Sequence, residues 1–139
     1  MFRQALALCI VAILAACSSP GPRRGGGTLA TFTRTGGIAG FNDSLVVGSD
    51  GSLVLTDKNG AVRRGEADPK KLTALDGLLH GAEFRALLPS YSTGGGADRM
   101  TYTVAVPEVG KVTTMDGSNQ PEVLSTIIEQ FAALIGSVK

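Results

Sequence analysis

Two cysteines, a single histidine and twelve carboxylates are what this chain holds for covalent, metal or acid–base chemistry. Cys17 is the most informative of them. It closes the run Leu14-Ala15-Ala16-Cys17, which follows an apolar stretch from Ala5 to Leu14 and a charged opening at Arg3. Small residues before a cysteine, behind a positively charged and then apolar leader, are the layout of a bacterial lipobox. There the leader is cut away and the cysteine sulfur takes a diacylglycerol. A permanent transmembrane anchor is the competing reading, but the apolar run falls well short of the ~20 residues that cross a bilayer. The expectation is a signal peptide over residues 1–16, lipid attachment at Cys17, and a membrane-anchored position on the extracytoplasmic side of the cell envelope. Cys9 leaves with the signal peptide, and an acylated Cys17 is no longer a thiol.

That accounting narrows the chemistry. Without a free thiol and with His80 as the lone imidazole, the mature chain has no ligand set for structural zinc, no CxxC redox pair and no disulfide framework. His80 falls at the end of a helical pattern, where a protonated ring complements the helix dipole without any catalytic duty. Ser44, Ser90 and Ser125 lack the GxSxG elbow of a hydrolase nucleophile. Asp50, Asp57 and Asp116 lie in turns, and Asp68 and Glu122 at helix starts, where backbone N–H groups account for them. A glycosidase-like carboxylate pair stays open at this level, because spacing along the chain does not give the distance between two carboxyls. Neither Gly25–Gly27 nor Gly94–Gly96 is followed by Lys-Ser/Thr, and Gly36-Gly37-Ile38-Ala39-Gly40 is not a GxGxxG fingerprint. The sequon Asn42-Asp43-Ser44 is a chance match beside a lipobox. With a net charge of +1 and basic residues scattered, phosphate-rich partners have little to grip. The reading is a protein that is not an enzyme, takes no cofactor or metal and binds no nucleic acid.

The elements that would position a binding surface follow from the periodicity. Ser18 to Gly27 has no large apolar residue and reads as a flexible tether over residues 17–27, with Arg23 and Arg24 either on anionic headgroups or simply solvated. About 110 residues remain, enough for one domain over 28–139. Thr28 to Arg34 alternates as a strand, with Ala30 and Phe32 on one face and Leu29, Thr31 and Thr33 on the other. Leu45–Gly48, Ser52–Thr56 and Ala61–Arg64 form a meander through turns at Asp50-Gly51 and Asn59-Gly60. Asp68-Pro69 caps and opens a helix to His80, stopped by Gly81, with Leu72, Leu75, Leu78 and Leu79 at helical spacing. Glu83 to Leu88 adds a turn or two before Pro89, and Ser92 to Ala97 is a loop.

Met100 to Val106 alternates with period two and returns through Pro107–Gly110 as Lys111–Met115. Asn119 and Glu122 are spaced as a capping box for a last helix with a broad apolar stripe through Phe131 to Val138. The fold class is α+β: an antiparallel sheet of hairpins with two helices packed on one face. Between the first two strands, Arg34 to Gly40 is an abrupt loop with few side chains. Glycine there serves a tight turn, and it also lets a partner approach the backbone closely.

The runs "FTRTGGIAG", "LTALDGLLHGAEF" and "ADRMTYTVAV", followed by an amphipathic C-terminal helix, resemble the emfourin family of proteinaceous inhibitors of thermolysin-like zinc metallopeptidases. The comparable family pattern is a Ser-Gly-Gly-Phe-Ala-Gly run, a leucine-rich helix ending near an aromatic, and an Asp-Arg/Phe-aromatic strand. The likeness spans about Leu29 to Ile135. This chain has Thr35 for the serine and Ile38 for the phenylalanine, and its segment from Asn42 to Glu66 is longer. The resemblance implies a lipoprotein-anchored inhibitor-like module whose partner is a thermolysin-like metallopeptidase. Gly36, Gly37, Ile38, Ala39 and Gly40 would form the partner-binding loop, and Ile38 or Phe41 would fill a specificity pocket by β-augmentation. The alternative is an envelope lipoprotein without inhibitory activity that binds another protein or envelope component.

Overall fold

A computed structural model describes residues 26–94, 96 and 98–139 of the chain. The lipobox, Cys17 and the tether up to residue 25 lie outside the described residues. The elements run β1 (Thr28–Gly36), β2 (Phe41–Gly48), β3 (Ser52–Thr56), β4 (Val62–Glu66), α1 (Pro69–His80), α2 (Ala82–Arg85), β5 (Ser90–Tyr91), β6 (Met100–Val106), β7 (Gly110–Met115) and α3 (Glu122–Ser137). The strands make one sheet in the order β4-β3-β2-β1-β6-β7-β5. Every neighbouring pair is antiparallel except β5 and β7. This is the α+β arrangement that the alternating patterns predict.

Period-two alternation puts Ala30, Phe32, Leu45, Val47, Leu53, Leu55, Val104 and Val112 on one side of the sheet, each at most 4% exposed. The helices lie over that side, contributing Leu75, Leu79, Phe84, Leu124, Ile127, Phe131 and Leu134 to the same cluster. At its centre the rings of Phe32 and Phe131 stack 4.8 Å apart at 1° between planes, with Tyr102 at 6.1 Å from Phe32. Such pairs contribute ~0.5–1.5 kcal/mol beyond the area they bury.

Several local features depart from the sequence reading. The loop expected over Arg34–Gly40 is shorter, because β1 runs on through Gly36 and β2 begins at Phe41, four residues before the expected Leu45, so that Arg34 and Thr35 are paired strand residues. Leu29, expected on the outer face, is 8% exposed and belongs to the core. The register shifts between Thr28 and Ala30, so a bulge inserts Leu29 out of step and turns it toward Leu72 and Thr73 of α1. Gly81 ends α1 as expected, but the turn expected over Glu83–Leu88 is instead the four-residue α2, Ala82–Arg85. The capping box at Asn119 does not form. Pro121 is the N-cap of α3 and its carbonyl accepts the N–H of Leu124, while Gln120 is drawn into bonds with the Thr114 and Ser125 hydroxyls. Finally β5 is not readable as a strand from its residues, because the two of them gain their extended pairing only from β7. By contrast α1 has the expected bounds, with the Asp68 carboxylate accepting the N–H groups of Lys70 and Lys71.

Candidate functional site

The β1–β2 hairpin closes on the pair Gly36 and Phe41, which leaves Gly37, Ile38, Ala39 and Gly40 as its tip. The Gly40 N–H donates to the Gly37 carbonyl at 3.0 Å to fold the turn. Gly36 has φ +97°, and a Cβ there would stand 2.5 Å from the Arg99 carbonyl oxygen. Only glycine therefore lets β1 pass so close to the residue before β6. The close approach allows the Gly37 N–H to donate to that same Arg99 carbonyl at 3.2 Å. On the other side, Lys58 from the β3–β4 turn donates from Nζ to the Ala39 carbonyl at 2.8 Å.

The base of the hairpin is braced as well. Arg34 Nε lies 2.7 Å from Asp43 Oδ2, across the β1–β2 pair, with Asp43 8% exposed. The Arg34 guanidinium also sits 4.8 Å from the centre of the Phe41 ring, within cation–π range. A charge-assisted bond under a partly shielding ring is stronger than an open surface pair. Arg99 is held by the Thr93 hydroxyl and by the Asp116 carbonyl at 3.0 Å, and the Met100 N–H donates to the Asp116 carboxylate at 3.2 Å. Nearby, Tyr102 is pushed above its ordinary pKa of 10.0, first by burial and then by the charge of Asp116 and the hydrogen bond between them, while Arg34 pulls the other way.

What this scaffold presents is Ile38, 88% exposed, with Phe41 at 38% beneath it. Keeping so large an aliphatic side chain in water is unfavourable, and burial in an apolar pocket would relieve that cost. The sequence loop Gly36 to Gly40 is thus brought together as one turn held by hydrogen bonds from Arg99 and Lys58. The sequence reading missed its supports: the Arg34–Asp43 pair, the Lys58 clamp and the Arg99 crossing. One signal was present, since Arg34 and Asp43 are opposite charges placed symmetrically about the glycine loop, which is where a hairpin pairs residues.

The remaining candidates are dispersed. His80 ends α1 with Nδ1 2.8 Å from Asp76 Oδ1 on its own helix. Ser125 accepts from Gln120 Nε2, whereas Ser44 and Ser90 lie on separate strands. Asp50, Asp57 and Asp68 accept backbone N–H groups two to four residues ahead, as their turn and cap positions predict. Among the described residues no three His, Cys, Asp or Glu side chains converge to hold a metal ion, and no helix is long and apolar enough to cross a membrane. No protein-family model matches the chain, and none of the curated proteins compared with it does.

Proposed function

We propose that this protein is an envelope-tethered binding module that blocks an extracytoplasmic thermolysin-like metallopeptidase with the tip of its β1–β2 hairpin and turns over no substrate itself. The observation that carries this reading is Ile38, 88% exposed on a turn clamped from both sides. Steric inhibition asks for a pre-shaped loop rather than for ionisable groups, because a rigid loop loses little conformational freedom on binding. An extended cleft would take the loop's backbone through hydrogen bonds and its aliphatic side chain in a pocket. The residues quoted above as resembling the emfourin family point to the same class of partner.

Residual activity of several thermolysin-like enzymes, measured against micromolar purified protein, tests the reading. Wild-type protein is expected to inhibit at least one, and Ile38→Asp to lose inhibition with an unchanged melting temperature. Ile38→Ala should weaken binding about tenfold to hundredfold, the ~1.5–3 kcal/mol of a buried aliphatic side chain. Absence of inhibition by the wild type would overturn the proposal.

A further inference from the structure

The chain enters the sheet at the end farthest from the hairpin tip. There the Ser49 N–H donates to the Gly27 carbonyl at 2.8 Å, and a Cβ on Gly26 would stand 2.8 Å from the Asp50 nitrogen. Glycine lets the incoming backbone lie against the β2–β3 turn, so the chain is fastened to the domain from residue 26 onward. β1 then runs from the Thr28–Gly48 pair to the Gly36–Phe41 pair, and its steps of ~3.3 Å put the tip roughly 26 Å from that entry. The other connections sort to the same two ends. Beside the entry lie the start of α1, tied to Gly51 through the Ala67 N–H at 2.8 Å, and the β6–β7 turn. Val138, the last residue but one, packs over Gly65 next to the Ser52–Glu66 pair at that same end. Beside the tip lie Lys58, Arg99 and the Asp116–Gly117 turn.

From Cys17 to residue 26 the contour of the chain is no more than ~32 Å, at ~3.6 Å per residue. The entry end is therefore held near whatever Cys17 is anchored in, and the tip is the part carried outward. Neither broad face gives lipid a reason to draw the domain flat. The outer side of the sheet carries exposed Arg64, Glu66 and Lys111, and the exposed side of the helices carries Lys71, Asp76 and Glu129. Away from the tip, the large exposed apolar side chains among the described residues are Val62 and Leu88, which stand at opposite edges of the sheet. A domain that lies on a bilayer needs a continuous apolar face, and these charges and distances interrupt one.

We propose that the anchored protein stands with its hairpin tip away from the bilayer and takes its partner from the aqueous phase. Its target is then a freely diffusing metallopeptidase, not one whose cleft opens at the membrane surface. This rests on the tethered-inhibitor reading above and adds the direction of approach. Strand polarity fixes that direction, because one end of β1 belongs to the tether and the other to the tip.

The test uses full-length protein purified with its own lipid and bound to phosphatidylcholine/phosphatidylglycerol vesicles whose headgroups carry an acceptor dye. Ile38→Cys at the tip and Lys70→Cys on the exposed first turn of α1 each carry the donor. Energy transfer to the bilayer is expected to be at least about twofold weaker from position 38 than from position 70, given ~26 Å of strand between the two ends. Equal transfer overturns the proposal, and so does stronger transfer from position 38, which would place the tip on lipid. Vesicle-bound wild type should also inhibit a soluble thermolysin-like enzyme within about tenfold of the same protein in detergent, and a larger loss overturns the proposal. If neither preparation inhibits, the inhibitor reading fails and the target falls with it, whereas the transfer pair still upholds or overturns the orientation. Protein that stays in the supernatant when the vesicles are pelleted has no anchor and overturns the proposal outright.

Discussion

Consecutive residues of one sheet live in two different environments. Phe32, Leu45, Leu55 and Val104 are sealed beneath α1 and α3, whereas their immediate neighbours Thr33, Ser44, Thr56 and Thr103 face outward in a hydroxyl row. Apolar burial against the helices supplies the stability on one side. The other side has no helix packed on it among the described residues, and the hairpin tip at the end of β1 leaves Ile38 exposed. The contrast teaches that in a small α+β domain the helices decide which face is structural, and whatever they leave uncovered can be shaped for a partner.

Substitutions should separate these roles by size. Phe131→Ala removes the ring stacked on Phe32 from a fully buried site, and a loss of ~3–5 kcal/mol in urea denaturation is expected. At the hairpin, Gly36→Ala forces a Cβ into the Arg99 carbonyl at positive φ and should lose ~1–3 kcal/mol, along with binding by the tip. Asp68→Ala deletes the cap of α1 and should lose ~1 kcal/mol by the same measurement.

The rim between the two environments offers a pH test. Tyr102 keeps its proton to higher pH in the folded chain than in the unfolded one. Below pH 10 both states hold it, so this contribution to stability is fully present. As pH rises past 10, the unfolded chain ionises first and stability declines until the folded phenol also titrates. Denaturation midpoints at pH 9 and pH 11 should show the decline, and Asp116→Asn should bring the tyrosine absorbance titration back toward 10.0. Smallest of all, Thr103→Val on the open face should change stability by no more than ~0.5 kcal/mol, although it removes a hydroxyl from the row.

Much of the architecture is legible in the order of the residues. The strand alternation of Met100–Val106, the turns at Asp50-Gly51 and Asn59-Gly60, and the bounds of Pro69–His80 each depend on residues within a few positions of one another. Local hydrogen bonding and side-chain periodicity are written into such stretches directly. Leu29 is misplaced by that reasoning because a bulge breaks the periodicity, and Asn119 because Gln120 finds better partners on β7 and α3. The glycine loop is visible in the sequence, but not the distant residues that stiffen it. Lys58 and Arg99 lie about twenty and sixty positions from the tip and meet it only when the sheet has assembled.

The amino-acid sequence alone thus determined most of the strands and helices, where most turns fall, and which side of the longer strands is apolar, Leu29 at the bulge excepted. These follow from short-range backbone preferences and from the two periods of 2 and 3.6 residues. The tertiary structure alone decided the strand order, with β1 between β2 and β6 and β5 parallel at the edge. It therefore also decided that six hydroxyls scattered from Thr33 to Thr113 stand in one row. Register is a property of pairs of strands, and no single strand contains it.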